Sequence, residues 1–86
     1  MKIVWDEAKR QANLIKHGLD FADLDPDFFF GCVLRPTHSG RRQALGRLGG
    51  RLVVSVVFRP LGSEAVSVIS MRPASSTERD IHDEGL

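Results

Sequence analysis

The chain has 86 residues, of which 42% are hydrophobic and 27% charged, with one cysteine and a formal net charge of +1. This length and composition argue against a disordered chain and against a multidomain enzyme, and a single cysteine excludes an internal disulfide. No apolar run approaches the ~18 residues that a membrane span requires. We therefore expect one domain over residues 1–86, in the cytoplasm and without a membrane partner.

The N-terminal elements are a short strand and a helix. Lys2 to Trp5 favours a strand, and Asp6 is a good N-cap for a helix from Glu7 to His17. Gly18 follows as the expected C-terminal residue. Helical spacing predicts that one face of this helix packs on the protein, and that face consists of Trp5, Ala8, Ala12 and Ile15.

The next segment, residues 20–30, is acidic and aromatic. Asp20 and Asp25 are possible helix caps, and Pro26 suits a first helical position, so we predict one broken helix or two short turns. Four aspartates in this segment suggest a cation site at first sight. The central Gly and distal Glu of a calcium loop are absent, and the three histidines are scattered, so we predict no metal site.

From Gly31 onward the pattern becomes strand-like, with turns at Ser39-Gly40, Gly49-Gly50 and residues 60–63. The glycines at 46, 49 and 50 are interpreted as turn residues. The pattern predicts an antiparallel meander, and its strands are Cys32 to Thr37, Arg42 to Leu48, Arg51 to Arg59 and Glu64 to Met71.

Two features complete the predicted fold. Strict alternation along the last strand places Arg72 on the same face as Val66 and Val68. Ser75 and Glu78 have the spacing of a capping box, which predicts a short C-terminal helix. The fold class is therefore α+β: a small antiparallel sheet with two N-terminal helices packed on it and a short C-terminal helix.

The distribution of charge indicates a partner. No Asp, Glu or Lys occurs from Phe28 to Ser63, and this stretch contains six arginines: Arg35, Arg41, Arg42, Arg47, Arg51 and Arg59. The guanidinium group presents a rigid fork that binds phosphate oxygens in pairs, which an ammonium group does not do. A positive surface on a nearly neutral chain predicts an anionic partner.

No nucleophile motif or phosphate loop is present, so the candidate chemistry rests on Arg, Glu and His. These are sufficient for metal-free RNA cleavage, in which the 2′-hydroxyl attacks the adjacent phosphate. Guanidinium groups stabilise the charged phosphorane, and a general base and acid move the protons. Glu78 or His38 are the candidate bases, and His38 is also a candidate acid.

Motifs at both ends of the chain resemble those of BrnT-type toxins. The first comprises Trp5-Asp6-Glu7-Ala8-Lys9, Asn13, Lys16-His17-Gly18 and Phe21, and the second comprises residues 69–75 followed by Glu78-Arg79. His38, Arg42 and Gly46 also match positions at which that family tends to have these residues. The resemblance spans nearly the whole chain.

This resemblance implies a RelE-like fold and a bacterial toxin of a type II toxin–antitoxin module. It implies a metal-independent endoribonuclease, without a cofactor, that cleaves mRNA and arrests translation, with or without the ribosome. The implied partner is a BrnA-like antitoxin with a ribbon-helix-helix DNA-binding part, in a hetero-oligomer with the toxin.

The resemblance also implies site residues. The catalytic set is Arg72, Glu78, Arg79 and His38, in which the two arginines hold the scissile phosphate and Glu78 is a base or orients them. The RNA-binding residues that we predict are Lys9 and Arg42, which match the family's pattern, and Arg47 and Arg59 of the acid-free arginine segment. The chain departs from the family in having no Tyr after Glu78-Arg79, where His82 is a possible substitute, and in having Pro73 after Arg72. A non-catalytic module that binds nucleic acid or protein through the arginine-rich sheet is the alternative.

Overall fold

The computed structural model describes residues 1–85 and contains a five-stranded sheet with three α-helices. In chain order the elements are β1 (Lys2–Trp5), α1 (Glu7–His17), a 3₁₀ turn (Phe21–Asp23), α2 (Pro26–Phe30), β2 (Val33–Pro36), β3 (Arg42–Leu48), β4 (Leu52–Leu61), β5 (Ala65–Pro73) and α3 (Ser76–Glu84). The strand order in the sheet is β1-β5-β4-β3-β2. None of these helices is long and apolar enough to cross a membrane.

The sheet is mixed, which corrects the prediction of a purely antiparallel meander. Strands β2 to β5 do form an antiparallel meander, but β1 adds to the edge of β5 in parallel, from Lys2 opposite Ala65 to Trp5 opposite Val68. The predicted turn at residues 60–63 is also shifted, because β4 continues through Leu61. Local patterns indicate strands, whereas the direction of an edge strand depends on the chain path between distant elements.

The predicted helix caps are confirmed. Asp6 accepts hydrogen bonds from the backbone of α1, and Gly18 ends that helix in the left-handed conformation with φ 69°. Asp20 caps the 3₁₀ turn and Asp25 caps α2, so the acidic segment forms two short turns as expected. Within residues 1–85, no group of three or more His, Cys, Asp or Glu side chains is arranged to hold a metal ion.

The predicted packing face of α1 is wrong. Ile15 is 86% exposed, and the buried residue of the helix is Asn13. The Asn13 amide donates to the carbonyl oxygens of Met71 (2.8 Å) and Leu19 (3.2 Å), and its oxygen accepts from the Met71 amide (3.0 Å). Pairing of β1 with β5 stops at Val68. Asn13 therefore satisfies the open backbone edge of β5 where β1 has ended.

A β-bulge in β5 changes which side chains share a face. Val57 lies opposite Ser70 and Phe58 lies opposite Val68, so Ile69 is an extra residue. Directly opposite residues of paired strands point to the same side of a sheet. Arg72, which lies opposite Ser55, is therefore on the other face from Val66 and Val68, and the predicted shared face is wrong.

Different elements pack on the two faces of the sheet. The first carries the main core and is packed by the 3₁₀ turn and α2; its buried residues are Phe21, Leu24, Phe28, Ala44, Val54, Val56, Phe58, Val66, Val68 and Met71. On the second face α3 lies across β3 and β4. Leu45 and Ser55 are buried there, and His82 of α3 is 1% exposed. This second face also carries Arg72.

Gly46 is a strand residue and not the turn residue that we predicted. It lies within β3 opposite Val54, and a Cβ atom at this position would approach the Phe28 ring to 2.8 Å. Glycine here permits α2 to pack closely on the sheet.

We expect Gly46→Ala to lower the free energy of unfolding by about 1–3 kcal/mol, because the added methyl group overpacks this contact. Urea denaturation measures the change. The double variant Gly46→Ala/Phe28→Leu should be less destabilised than the sum of the two single variants, because the smaller side chain removes the clash. Full additivity would contradict this explanation.

Candidate active site

The centre of the candidate site is an ion pair between β5 and α3. Arg72 Nη1 donates to Glu78 Oε1 at 2.7 Å, and Arg72 Nη2 donates to Glu78 Oε2 at 2.9 Å. This is the bidentate geometry in which the guanidinium fork matches a carboxylate. The Arg72 side chain is 43% exposed and the Glu78 side chain 12%, so the arginine presents an open edge to solvent while the carboxylate lies beneath it.

The start of α3 fixes Glu78 in place. Ser75 Oγ accepts from the Glu78 amide, and Glu78 Oε1 accepts from the Ser75 amide at 2.9 Å, which confirms the predicted capping box. The capping carboxylate is therefore the same group that pairs with Arg72. The end of the sheet and the start of the helix are joined through one side chain.

Two further side chains complete the network, and we did not predict either. Gln43 Nε2 donates to Glu78 Oε2 at 2.8 Å and to Ser55 Oγ at 2.8 Å. Ser55 is 1% exposed. A sequence signal existed for Ser55, which interrupts the valine run of β4 and, as a buried polar group, requires a partner. Gln43 follows two arginines and gave no such signal.

The charge state of Glu78 follows from these contacts. Hydrogen bonds from Arg72, opposed by burial and assisted by the Ser75 amide and Gln43, lower the pKa of Glu78 to about 2. Its carboxylate raises the pKa of Arg72 in return, against the effect of burial. A carboxylate with so low a pKa, and with both oxygens engaged, is a poor proton acceptor near neutral pH. Its geometry suits the orientation of Arg72.

A region of the second face beside this network is partly accessible to solvent, since Arg59 is exposed and Arg35, Arg41, Ser67 and Ser70 are half-buried. The strand register places Arg35 next to Gln43 and then Val57 and Ser70 in one row across the sheet. The next row contains Arg59 opposite Ser67. We call the surface formed by Arg35, Arg41, Arg59, Ser67 and Ser70 the open face, and it is the part of the sheet that carries the arginines without acidic residues between them.

Of the predicted catalytic residues, the structure brings Arg72 and Glu78 into contact. Arg79 follows Glu78 in the first turn of α3, is exposed, and forms no side-chain hydrogen bond within residues 1–85. His38 is exposed in the connection between β2 and β3 and contacts Thr37. That connection lies about four residues, or ~13 Å, along the strands from the row of Arg72. The structure therefore keeps His38 apart from the ion pair.

The predicted RNA-binding residues are distributed over several surfaces. Lys9 lines a groove between α1 and β5 together with Lys16, His17 and Ser70, which adjoins the open face. Arg59 belongs to the open face, and its Nη2 lies 3.5 Å from the Ser39 carbonyl oxygen.

The other two members of that set lie elsewhere. Arg42 lies opposite Phe58 on the first face, where it lines a cavity of about 310 Å³ with exposed apolar residues such as Phe30 and Leu34. Arg47 lies beside Asp83 of α3, with an Nη2–Oδ1 distance of 3.9 Å. Neither arginine is brought to the open face beside Arg72.

His82 does not substitute for a substrate-stacking tyrosine in this structure. His82 belongs to α3, and its side chain is buried where the helix packs on the sheet. Its Nδ1 lies 3.1 Å from Asp83 Oδ1. A side chain that is 1% exposed presents no ring face to a nucleotide. His82 instead contributes to the packing of the helix on the second face.

Comparisons with known proteins show the family of this chain. The sequence profile of the family described as "Ribonuclease toxin, BrnT, of type II toxin-antitoxin system" matches residues 5–78. The chain belongs to the BrnT family. The matched range includes both Arg72 and Glu78, and it ends before Arg79.

A solved BrnT structure is similar to most of this chain. The crystal structure of the Brucella abortus ribonuclease toxin BrnT has a TM-score of 0.83 and 55% sequence identity to it, and the alignment covers 88% of this chain and 99% of the Brucella chain. No curated protein sequence gives a significant match. The BrnT fold thus includes the five-stranded mixed sheet and three helices described above, and the family assignment supports ribonuclease activity in general.

Proposed function

We propose that this protein is the toxin of a type II toxin–antitoxin module, acts in the cytoplasm, and cleaves mRNA so that translation stops. The family assignment supports the class, and the bidentate Arg72–Glu78 pair beside the basic open face is the observation that carries the mechanism. The finer kinship to RelE-like ribonucleases, and a ribbon-helix-helix antitoxin as the neutralising partner, are parts of the same proposal.

In the proposed reaction the 2′-oxygen of one nucleotide forms a bond to the adjacent phosphorus, and the bond from phosphorus to the 5′-oxygen breaks. The 2′-hydroxyl proton goes to a general base, and the leaving 5′-oxygen takes up a proton. Arg72 and Arg79 bind the non-bridging oxygens and stabilise the charge that develops on them. Removal of one such donor typically costs 10²–10³ in rate.

Glu78 acts in this mechanism as a positioning residue for Arg72. Its low pKa and its four hydrogen-bond donors argue against a role as the base. His38 remains a candidate for proton transfer only if its connection moves toward the substrate. His17, in the groove that includes Ser70, is a histidine nearer to β5. Separate His17→Ala and His38→Ala variants, compared by their pH–rate profiles, distinguish the two.

Incubation of the purified protein with RNA in the presence of EDTA tests the function. We expect fragments that end in a 2′,3′-cyclic phosphate, and no cleavage at a site whose 2′-hydroxyl is replaced by hydrogen. Intact free RNA together with cleaved mRNA in a translation reaction would indicate that the ribosome is required. Intact RNA in both reactions would exclude the nuclease.

A non-catalytic binding module is the second candidate. The observation in its favour is that no histidine belongs to the hydrogen-bonded network of Arg72, Glu78, Gln43 and Ser55 in residues 1–85. Tight binding of RNA without cleavage in either reaction would support this candidate.

The lowered pKa of Glu78 predicts a pH dependence of stability. A carboxyl group whose pKa falls from 4.5 to about 2 on folding stabilises the protein above pH 4.5, and this contribution disappears as the pH falls toward 2. Allowing for the partly exposed Arg72, we expect a loss of about 2 kcal/mol over this range. Thermal unfolding from pH 2 to 7 measures it, and the difference between wild type and Glu78→Gln should disappear near pH 2. A constant difference at all pH values would contradict the assignment.

A further inference from the structure

Three arginines of the open face lie at the end of the sheet where β2 connects to β3, and none of them has an acidic partner within residues 1–85. Arg59 lies opposite Ser67 in β5. The paired register of β3 and β4 ends with Arg42 opposite Phe58, and one more step of the same register would place Arg41 opposite Arg59. The Arg59 Nη2 atom lies 3.5 Å from the carbonyl oxygen of Ser39, two residues before Arg41. The Thr37 amide donates to the Arg41 carbonyl oxygen at 3.3 Å, so pairing of β2 and β3 extends to this position. Arg35 lies two residues before Thr37 on β2.

This arrangement is electrostatically unfavourable for the protein alone. Like charges directly opposite each other on neighbouring strands destabilise a sheet. None of Arg35, Arg41 and Arg59 forms an ion pair with an acidic residue in residues 1–85, including Glu64 in the following turn. By contrast, Arg10, Arg47 and Arg72 each have a carboxylate within 4 Å.

Arg41 carries a second and independent indication. Its Nε atom is buried and has no hydrogen-bond partner among the described residues. A buried donor that lacks a partner costs free energy, because its hydration is lost without compensation. A cluster of like charges with an unsatisfied donor is the pattern expected of a site that an anion completes.

The position of the cluster relative to the ion pair indicates which anion. The row of Arg41 and Arg59 is four residues along β4 from Ser55, the neighbour of Arg72, which corresponds to ~13 Å. Both rows lie on the second face, and the intervening row contains Gln43 and Ser70. One RNA strand lying along this face would therefore present phosphates to both positions.

We propose that Arg35, Arg41 and Arg59 form a second phosphate-binding site, which holds the RNA backbone away from the scissile bond. This inference rests on the proposed RNA substrate and adds a subsite to it. The site binds phosphate and makes no contact with the reacting atoms, so it affects longer substrates and leaves the chemistry at Arg72 unchanged.

The variant Arg41→Met tests the site, with Arg51→Met as the matched control, because Arg51 is exposed in the turn at the opposite end of β4. Binding of a fluorescent 2′-O-methyl RNA oligonucleotide, which has no free 2′-hydroxyl, is measured over a salt series. We expect Arg41→Met to weaken binding about tenfold. The slope of log K against log salt should decrease by roughly 0.7, as expected for one lost phosphate contact on a single strand. The control variant Arg51→Met should leave the RNA affinity and the salt slope unchanged.

Two further measurements distinguish the loss of a phosphate-binding site from a loss of stability or of catalytic activity. Arg41→Met should unfold at the wild-type temperature or above it, because it removes an unsatisfied donor and a like-charge contact; if it unfolds earlier, Arg59→Met at an exposed position of the same row replaces it. Cleavage of a dinucleoside monophosphate, which contains only the scissile phosphate, should be unchanged, whereas kcat/KM for a longer RNA should fall.

The outcomes are distinct. Wild-type affinity and salt slope in Arg41→Met and Arg59→Met would overturn the second site even if the protein is a nuclease. If RNA binding is unchanged in both variants but antitoxin binding is lost, the surface binds an acidic protein segment. That outcome also overturns the second phosphate site. RNA binding that depends on Arg41 in a protein that cleaves nothing would retain the site and overturn the nuclease.

Discussion

Replacement of Arg72 with Ala is expected to reduce RNA cleavage by about 10²–10³-fold and to relieve growth arrest on expression in bacteria. Arg72 is the guanidinium group that the network of Glu78, Gln43 and Ser55 orients toward solvent. Its loss removes the positive charge and the donor edge, Nε and the second Nη2 hydrogen, that the bonds to Glu78 and Pro73 leave available for phosphate oxygens. The rate of cleavage at saturating protein measures the effect without a contribution from binding.

Two comparisons make this result specific. Arg72→Lys retains the charge but not the fork, so it should recover only a small part of the rate. Arg51→Ala removes an arginine far from the pair and should cleave normally. The Ala variant leaves Glu78 with its bonds to Gln43 and the Ser75 amide, so folding is checked by its unfolding temperature. Undiminished toxicity of folded Arg72→Ala at equal expression would remove Arg72 from the active site.

Replacement of Asn13 with Ala is expected to lower the free energy of unfolding by about 2–4 kcal/mol, the largest effect on stability that we predict. The change would remove two hydrogen bonds to the Met71 backbone and one to the Leu19 carbonyl, and would leave those buried groups unpaired. The effect should also reach the active site, because Arg72 follows Met71 directly in β5. Urea denaturation measures the loss of stability.

Lys16→Ala is the matched control for Asn13, because Lys16 is an exposed residue of the same helix. Its effect should lie within about 0.5 kcal/mol of zero. A midpoint for Asn13→Ala equal to that of Lys16→Ala would show that water satisfies the Met71 groups when the side chain is absent. Asn13 would then have no special role in holding α1 on the sheet.

Local sequence signals were sufficient for much of the fold. The caps at Asp6, Asp20, Asp25 and Ser75, and the glycine that ends α1, act within a turn of the residues that they contact. Contacts of such short range leave a pattern in adjacent residues, which explains why most element boundaries agree within a few positions. The acid-free arginine segment similarly predicted a basic surface before its shape was known.

The location of the candidate site could not be predicted from local sequence signals alone. The capping-box spacing and the family resemblance identified Glu78 and Arg72 but left open whether Glu78 is a base or orients the arginines, and only the structure shows the bidentate pair. Gln43 and Ser55 joined the network without having been predicted, and the structure separated His38, Arg42 and Arg47 from it. Residues on four different elements meet there, and no local pattern encodes that meeting.

The sequence by itself therefore determined the class of elements, their caps, the concentration of arginines and the family of the chain. Tertiary structure alone decided which face Arg72 occupies, because one extra residue at Ile69 reverses the alternation in β5 and moves Arg72 away from the core. It also decided the role of Asn13, which depends on where β1 ends. Alternation and helical spacing describe neighbours along the chain, whereas bulges and open strand edges arise from pairing between distant segments.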